Sequence, residues 1–198
     1  AMPRESRAQR HTRAAAIVLR LAAAYPDAAC ALRFQTPFEL LVATILSAQC
    51  TDKKVNEVTP ALFARFPDAR AMAVAEPEEV ERLVQPTGFF RQKTRSIVEA
   101  SRDLVARFGG EVPPNLAALV TLRGVGRKTA NVVLGNVFDV PGLTVDTHMT
   151  RVNRRLGLTT SEDPAQIERD LMALLPEPEW TLYSHRVIAH GRQCCDSR

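Results

Sequence analysis

Apolar residues recur at helical spacing along almost the whole chain, and this periodicity restricts the fold more than any other feature. Capping, glycine and proline signals separate the apolar segments, with no alternating strand pair or Asn-Gly hairpin between them. The apolar stretch at residues 40–46 follows Thr36-Pro37-Phe38-Glu39, which is typical of a capped helix start. We therefore predict an all-α fold in which this helix is central and buried.

Composition and charge narrow the functional classes. Of the 198 residues, 45% are apolar and 24% are charged, as in an ordinary globular protein. No apolar run reaches the roughly 18 residues of a membrane span, and the N-terminus has no apolar signal core. The four cysteines lack the spacing of a disulfide framework, which favours a reducing compartment.

A mild basic character fits a polyanionic partner. The net charge is +4, and four arginines at three-residue spacing would share one face of a helix: Arg4, Arg7, Arg10 and Arg13. A plain solvated face explains this stripe equally well.

Residues 122–130 (LRGVGRKTA) are the most informative stretch. Gly124 and Gly126 let the chain reverse between two helices and let a ligand approach the backbone closely. Backbone N–H groups at this turn and at the next helix start would point outward together, and such a nest binds phosphate. A plain helix–helix turn can have the same sequence, so both interpretations stay open on this stretch alone.

Further motifs accompany the glycine turn: PFELL…LSAQ at 37–49, VDTH at 145–148 and HGR at 190–192. Together they resemble the endonuclease III family of DNA glycosylases over nearly the whole chain, from about residue 17 onward. The resemblance implies a two-domain helix-hairpin-helix glycosylase fold. Its six-helix domain would span 30–140, with the hairpin at about 116–138, and residues 1–29 plus 141–198 would form a second helical domain.

The resemblance implies that Lys128 is catalytic. A lysine amine is nucleophilic only when it is unprotonated, and a position just inside a helix N-terminus, beside Arg127, disfavours the protonated form. Partial burial would act in the same direction. By resemblance, Lys128 attacks C1′ of a damaged nucleotide, the base leaves, and β-elimination through a Schiff base cuts the strand. A phosphate contact is the alternative role for such a lysine.

Asp146 is the second catalytic residue that the resemblance implies. Its sequence context is typical of a helix N-cap, and a cap alone is one interpretation. In the family, the aspartate faces the lysine across the active-site cleft, stabilises positive charge on the sugar and helps to move protons. His148 would contact phosphate or support Asp146, or else be structural.

An enzyme that acts on a base must flip the nucleotide out of the duplex. By resemblance, Gln49 enters the vacated space from one side and Phe89 wedges in from the other. Core packing is the other interpretation of Phe89, with Phe90 as a second candidate for the core position. The other residues expected to bind DNA are Gly124, Val125, Gly126, Arg127, Thr129 and His148.

Two departures from the family pattern stand out. Arg123 occupies a position where proline is usual, which loses rigidity and would add a phosphate contact. Relatives hold a 4Fe–4S cluster with four cysteines after His-Gly-Arg, and Cys195 matches the first ligand, but only Cys194 accompanies it here. We expect the complete protein to carry the cluster through a further C-terminal segment; a cluster-free member is the alternative.

The resemblance implies a bifunctional DNA glycosylase and AP lyase of base excision repair. Oxidised pyrimidines in double-stranded DNA would be its substrates, and the enzyme would be a cytoplasmic, nucleoid-associated monomer. A monofunctional mismatch glycosylase is the nearest alternative, although that class lacks a lysine at the position of Lys128. A non-catalytic helix-hairpin-helix DNA-binding module is the alternative from another class.

Overall fold

The computed structural model describes residues 5–196, and this part of the chain contains helices and turns but no strand, so the all-α prediction is confirmed. The chain divides into two compact units. Residues Cys30–Val140 form one, here called the hairpin unit. The described residues before Cys30 and from Pro141 onward form the other, here called the terminal unit.

The hairpin unit is organised around one buried helix. Its helices are α2 (Pro37–Leu46), α3 (Asp52–Arg65), α4 (Ala69–Ala73), α5 (Pro77–Val84), α6 (Phe90–Phe108), α7 (Leu116–Leu119) and α8 (Arg127–Val137). In α2, every residue after Pro37 except Glu39 is buried, and the helix packs against α3, α6 and α8. Thr36 caps it by accepting from the Glu39 N–H at 3.1 Å. The prediction of a central buried helix is confirmed.

Local signals explain where several of these helices end. Gly109 stops α6 in the left-handed conformation at φ +63°, which glycine adopts without steric cost. A 3-10 turn, Gln85–Thr87, leads from α5 to the start of α6. Pro60 lies inside α3, which begins at Asp52 and continues to Arg65, so no new helix starts at that proline.

The terminal unit has its own core. Its helices are α1 (Arg7–Ala24), α9 (Thr147–Arg155), α10 (Pro164–Met172) and α11 (Trp180–Gln193). Both α1 and α9 pack against α11. Tyr183 on α11 is fully buried, and its hydroxyl donates to Asn153 Oδ1 on α9 at 2.5 Å. Burying a side chain of this size without an unsatisfied hydroxyl stabilises the α9–α11 contact.

Two arginines of the stripe on α1, Arg10 and Arg13, make contacts within the protein. Arg13 pairs with Glu5 at 2.7 Å and donates to the Gly157 carbonyl at 3.3 Å, beyond the C-terminal end of α9. Arg10 lies 3.5 Å from the same carboxylate. Arg4 lies outside the described residues. Across residues 5–196, none of the helices has the length and apolar character that crossing a bilayer requires.

Candidate active site

The turn between α7 and α8 is built around Gly124, whose φ of +76° lies in the left-handed region. A Cβ added here would lie 2.7 Å from the Cβ and 2.8 Å from the Oγ of Ser96 on α6. Both distances are far inside van der Waals contact, so a larger residue would push α6 and the turn apart. The positive φ and the packing against α6 therefore both require glycine at this position. A phosphate contact of the Gly124 backbone stays a prediction.

Gly126 has the opposite surroundings. It is the N-cap of α8 at φ −88° and ψ 176°, a conformation open to any residue. A Cβ here would meet nothing within 4 Å, so this position faces open space. Glycine also has no side chain to cap the first N–H groups of α8. An open helix start of this kind, at the positive end of the helix dipole, can bind an anion such as phosphate.

The side chains around this helix start differ in exposure. Arg127 and Lys128 are exposed, and Thr129 is half-buried. The exposure of Lys128 contradicts the expectation of partial burial, because the second position of α8 points away from the core. Val125 is buried and its N–H donates to the Leu122 carbonyl at 3.1 Å, so its side chain and its N–H both serve the turn.

A cavity of about 200 Å³ in the hairpin unit brings together three of the predicted site residues: Gln49, Phe89 and Gly124. They come from three segments that are far apart in the sequence, namely the α2–α3 loop, the start of α6 and the α7–α8 turn. The other lining residues are Ile45, Ala48, Gln92, Lys93 and Ser96. The lining combines polar ends with apolar walls, which suits the face and edge of a planar heterocycle.

Gln49 and Phe89 share a strained backbone. Together with Asp139 they are the non-glycine residues at positive φ within residues 5–196, with φ of 50° for Gln49 and 47° for Phe89. Such a conformation costs about 1–3 kcal/mol for a residue with a side chain. Phe89 is also 61% exposed, so little burial of its side chain offsets this strain. Strain combined with exposure is typical of a functional position.

Phe89 and Phe90 have different surroundings, which decides which of them packs in the core. Phe90 is half-buried and packs against the core of the hairpin unit, whereas Phe89 is exposed at the cavity. The core-packing interpretation of Phe89 is therefore wrong.

Arg123 forms an ion pair within the hairpin unit, because its Nη1 lies 3.1 Å from Glu99 Oε2 on α6. This ion pair links the turn to α6.

Two residues of this cavity escaped the sequence reasoning. Ser96 is the neighbour that Gly124 must accommodate. Lys93 is only 4% exposed, although lysine is among the residues least often buried. A signal for Lys93 was available, because it lies four residues before Ile97 on the stripe of α6 that carries the apolar side chains.

Comparison with known proteins identifies the family. Residues 42–177 match the model of the HhH-GPD superfamily of base excision DNA repair proteins. Endonuclease III of Synechocystis sp. is 54% identical over 192 residues, which cover 96% of this chain and 88% of that protein. The chain belongs to the HhH-GPD superfamily. As a homologue of endonuclease III, it is an enzyme of base excision repair, a DNA glycosylase with AP lyase activity.

Solved HhH-GPD structures agree in fold. An endonuclease III in a non-covalent complex with DNA superposes with a TM-score of 0.91 at 39% identity, covering 95% of this chain and 88% of that one. A trapped covalent endonuclease III–DNA intermediate, described as an estranged-adenine complex, also gives a TM-score of 0.91 at 39% identity, covering 95% of this chain and 89% of that one.

Asp146 of this HhH-GPD protein lies in the terminal unit and is the N-cap of α9. Its Oδ1 accepts from the Met149 N–H at 2.8 Å. The capping interpretation is therefore confirmed, and Asp146 is half-buried. An aspartate that is held by a cap has a fixed orientation, which suits a catalytic as well as a structural role.

His148 is engaged within the terminal unit. Its Nδ1 lies 3.0 Å from Arg151 Nη2, and a Cβ at Gly191 on α11 would approach the same Nδ1 to 2.9 Å. Arg151 in turn donates to the Gly191 carbonyl at 2.9 Å and to the Cys195 carbonyl at 2.7 Å. These contacts join α9 to the end of α11 and favour the structural interpretation of His148.

The described cysteines do not by themselves fit the predicted cluster. Cys195 Sγ lies 3.0 Å from Arg155 Nη1, and Cys194 Sγ lies 3.5 Å from the Tyr25 hydroxyl. A 4Fe–4S cluster requires four thiolates. Within residues 5–196 no group of three or more potential ligands could hold a metal ion. A cluster bound through Cys195 stays a prediction.

Proposed function

We propose that this enzyme removes oxidised pyrimidines from damaged double-stranded DNA and cuts the strand with Lys128 as its nucleophile. The observation that carries the proposal is the exposed amine at the second position of α8, directly after the Gly124–Gly126 turn. The covalent DNA intermediate of a similar endonuclease III supports a nucleophile on the enzyme. The protein acts as a monomer in the cytoplasm, in association with the nucleoid.

The proposed reaction has two stages. The neutral amine of Lys128 attacks C1′ of the damaged nucleotide, the bond from C1′ to the base breaks, and the base leaves with a proton. The attached amine then loses one proton, and the C1′–O4′ bond breaks as O4′ takes up a proton, which leaves a protonated Schiff base at C1′. Removal of a proton from C2′ then lets the electron pair expel the 3′ phosphate, which cuts the strand by β-elimination.

The backbone at the start of α8 positions the DNA in this proposal. Gly126 leaves room for a phosphate to approach the uncapped N–H groups of α8, including that of Thr129. Arg127 adds positive charge at the same helix start. Phosphate contacts of this kind fix the register of the duplex and carry no base sequence.

Asp146 stabilises the positive charge that develops on the sugar and moves protons during the reaction. We expect Asp146→Asn to lower turnover by roughly 10²–10⁴-fold, the range of a lost acid–base group. Asparagine is as good an N-cap as aspartate, so α9 and the melting temperature should be retained. Single-turnover cleavage of a duplex with one thymine glycol measures the first effect, and thermal unfolding measures the second.

A matched control for this variant exists in the same unit. Asp163 caps α10 by accepting from the Gln166 N–H at 3.0 Å, so Asp163→Asn makes the same chemical change at another cap. Its turnover should equal that of wild type. If Asp146→Asn also kept full turnover, Asp146 would be a cap and nothing more.

Gln49 and Phe89 fill the space that the flipped nucleotide leaves, with Phe89 as the stacking wedge. Phe89→Ala should weaken binding to a duplex with an abasic site by roughly 5- to 150-fold, the loss of one stacking contact of 1–3 kcal/mol. Binding to undamaged duplex should change little, and the salt dependence should match wild type because no charge is lost. Titrations of both duplexes at several salt concentrations give these values.

Val74→Ala is the control for the wedge, because Val74 is 81% exposed in the same unit and lies away from the cavity. It should leave both affinities unchanged. Equal weakening of both duplexes by Phe89→Ala would assign Phe89 to general binding and reject the wedge.

Borohydride reduction tests the function as a whole. A duplex with a single thymine glycol should release the damaged base and give a covalent adduct with the wild-type enzyme, because the reagent reduces the Schiff base to a stable amine. Base release without an adduct would instead indicate a monofunctional glycosylase. Binding without either product would indicate a non-catalytic DNA-binding module.

A further inference from the structure

Lys93 carries a charge in a place where charges are costly. The residue is 4% exposed on α6, and its Nζ donates to the Thr87 carbonyl at 2.7 Å. Within residues 5–196, no carboxylate lies at ion-pairing distance from this ammonium. Burial lowers the pKa of the Lys93 amine because the charged form loses its hydration, and the electrostatic effect of Cys50 opposes that lowering only in part.

A buried lysine without a counter-ion needs a reason, since an apolar side chain of similar length would avoid the desolvation cost. The Thr87 carbonyl supplies part of that reason. Thr87 is 3% exposed and ends the 3-10 turn before α6, where its carbonyl has no helical partner. The Lys93 ammonium satisfies this buried acceptor, which would otherwise remain unpaired.

The same lysine holds the other end of the following turn. Gly88 has φ +71° and Phe89 has φ +47°, so the chain leaves the 3-10 turn through two consecutive residues at positive φ. The backbone N–H of Lys93 donates to the Phe89 carbonyl at 3.0 Å, as the first hydrogen bond of α6. Lys93 therefore binds the carbonyl before this turn with its side chain and the carbonyl after it with its backbone.

We infer that Lys93 is a positioning residue for Phe89: its ammonium, bound to the Thr87 carbonyl, keeps the strained turn in the conformation that exposes the Phe89 ring at the cavity. The inference rests on the proposed wedge role of Phe89. Without the ammonium, the turn loses the contact that holds Phe89 at positive φ, and the backbone relaxes toward ordinary values. A wedge that is not already in place must be ordered on binding, which weakens lesion recognition.

Lys93→Met tests this inference, because methionine is similar in length and apolar but cannot donate to the carbonyl. The probe is a duplex with one tetrahydrofuran abasic analogue opposite 2-aminopurine, compared with the undamaged duplex. We expect Lys93→Met to lower the ratio of damaged to undamaged affinity at least fivefold. It should also reduce the 2-aminopurine fluorescence change on binding, which reports insertion beside the opposite base.

A double-variant cycle separates positioning from other effects. If Lys93 acts through the wedge, Lys93→Met should add little to the loss caused by Phe89→Ala. Lys53→Met removes an exposed lysine of the same unit and should leave the affinity ratio unchanged. Lys93→Arg, which keeps a charged donor, should restore most of the ratio and of the fluorescence change.

The outcomes distinguish this inference from the wedge proposal. If Phe89→Ala leaves the ratio unchanged, the wedge is wrong and the positioning role is rejected with it. If Phe89→Ala lowers the ratio and Lys93→Met does not, only the positioning role is rejected. Additive losses, or equal weakening of both duplexes by Lys93→Met, also overturn it. If Lys93→Met does not fold, Lys93→Gln replaces it. The amide nitrogen of glutamine lies one bond closer to the backbone than the lysine Nζ and does not reach the Thr87 carbonyl, so the same loss of the affinity ratio is expected.

Discussion

Lys128→Gln should abolish the borohydride-trapped adduct while it largely retains duplex binding. Glutamine keeps the polarity and most of the length of the side chain but has no nucleophilic amine, so no Schiff base can form. Because the reductant captures only that intermediate, the expected signal is the background without enzyme. Affinity should change far less, since one phosphate-facing charge among many alters the salt dependence by about one unit.

The trapping experiment can identify the nucleophile, because the chain contains only four lysines whose amines could form the Schiff base. Lys54 is ion-paired with Glu57 at 2.5 Å, Lys93 is 4% exposed, and Lys53 and Lys128 are exposed. Lys53→Gln is therefore the matched control for an exposed amine, and it should trap as well as wild type. Undiminished trapping by Lys128→Gln would show that another amine performs the reaction.

Gly124→Ala should destabilise the hairpin unit by roughly 2–4 kcal/mol, from the left-handed φ and from overpacking against Ser96. For a chain of this size, that corresponds to a fall in Tm of roughly 5–15 °C. The Cβ of Ser96 lies 2.7 Å from the position of the new methyl group and is fixed to the backbone of α6, so the clash cannot be relieved by rotating a side chain. Thermal unfolding without DNA measures the effect.

Second-site variants identify the cause of this loss. Ser96→Ala removes the Oγ but keeps the Cβ, so it should not rescue Gly124→Ala, whereas Ser96→Gly should recover part of the loss. Gly126→Ala is the contrast, because its Cβ would meet open space at an ordinary φ and should leave the Tm near that of wild type. A Tm for Gly124→Ala within a degree of wild type would contradict the packing argument.

The phosphate contact is tested by a variant at Gly126 and not by one at Gly124. A methyl group at Gly126 enters the open space in front of the α8 N-terminus, where a phosphate is proposed to bind. Gly126→Ala should therefore weaken damaged and undamaged duplexes alike. In Gly124→Ala, weaker DNA binding would follow from the disturbed fold and would not report on the phosphate.

The sequence by itself determined the features that depend on neighbouring residues. The mainly apolar character of α2 predicted its burial, and Thr36 and Asp146 predicted helix starts that the structure contains. These predictions succeed because a capping bond or a left-handed glycine involves atoms within one helical turn, so its chemistry is written in adjacent residues. The family motifs added the functional residues, whose types and spacing are specific even where their environment is unknown.

Only the tertiary structure decided which of the two adjacent phenylalanines packs in the core, and why glycine is required at position 124. Phe89 and Phe90 are identical in sequence terms, and the strained turn before α6 exposes one and packs the other. Gly124 is required because Ser96, from a distant helix, lies against it. Each of these outcomes depends on which surfaces meet when the helices pack, and such contacts between distant segments leave no local pattern in the sequence.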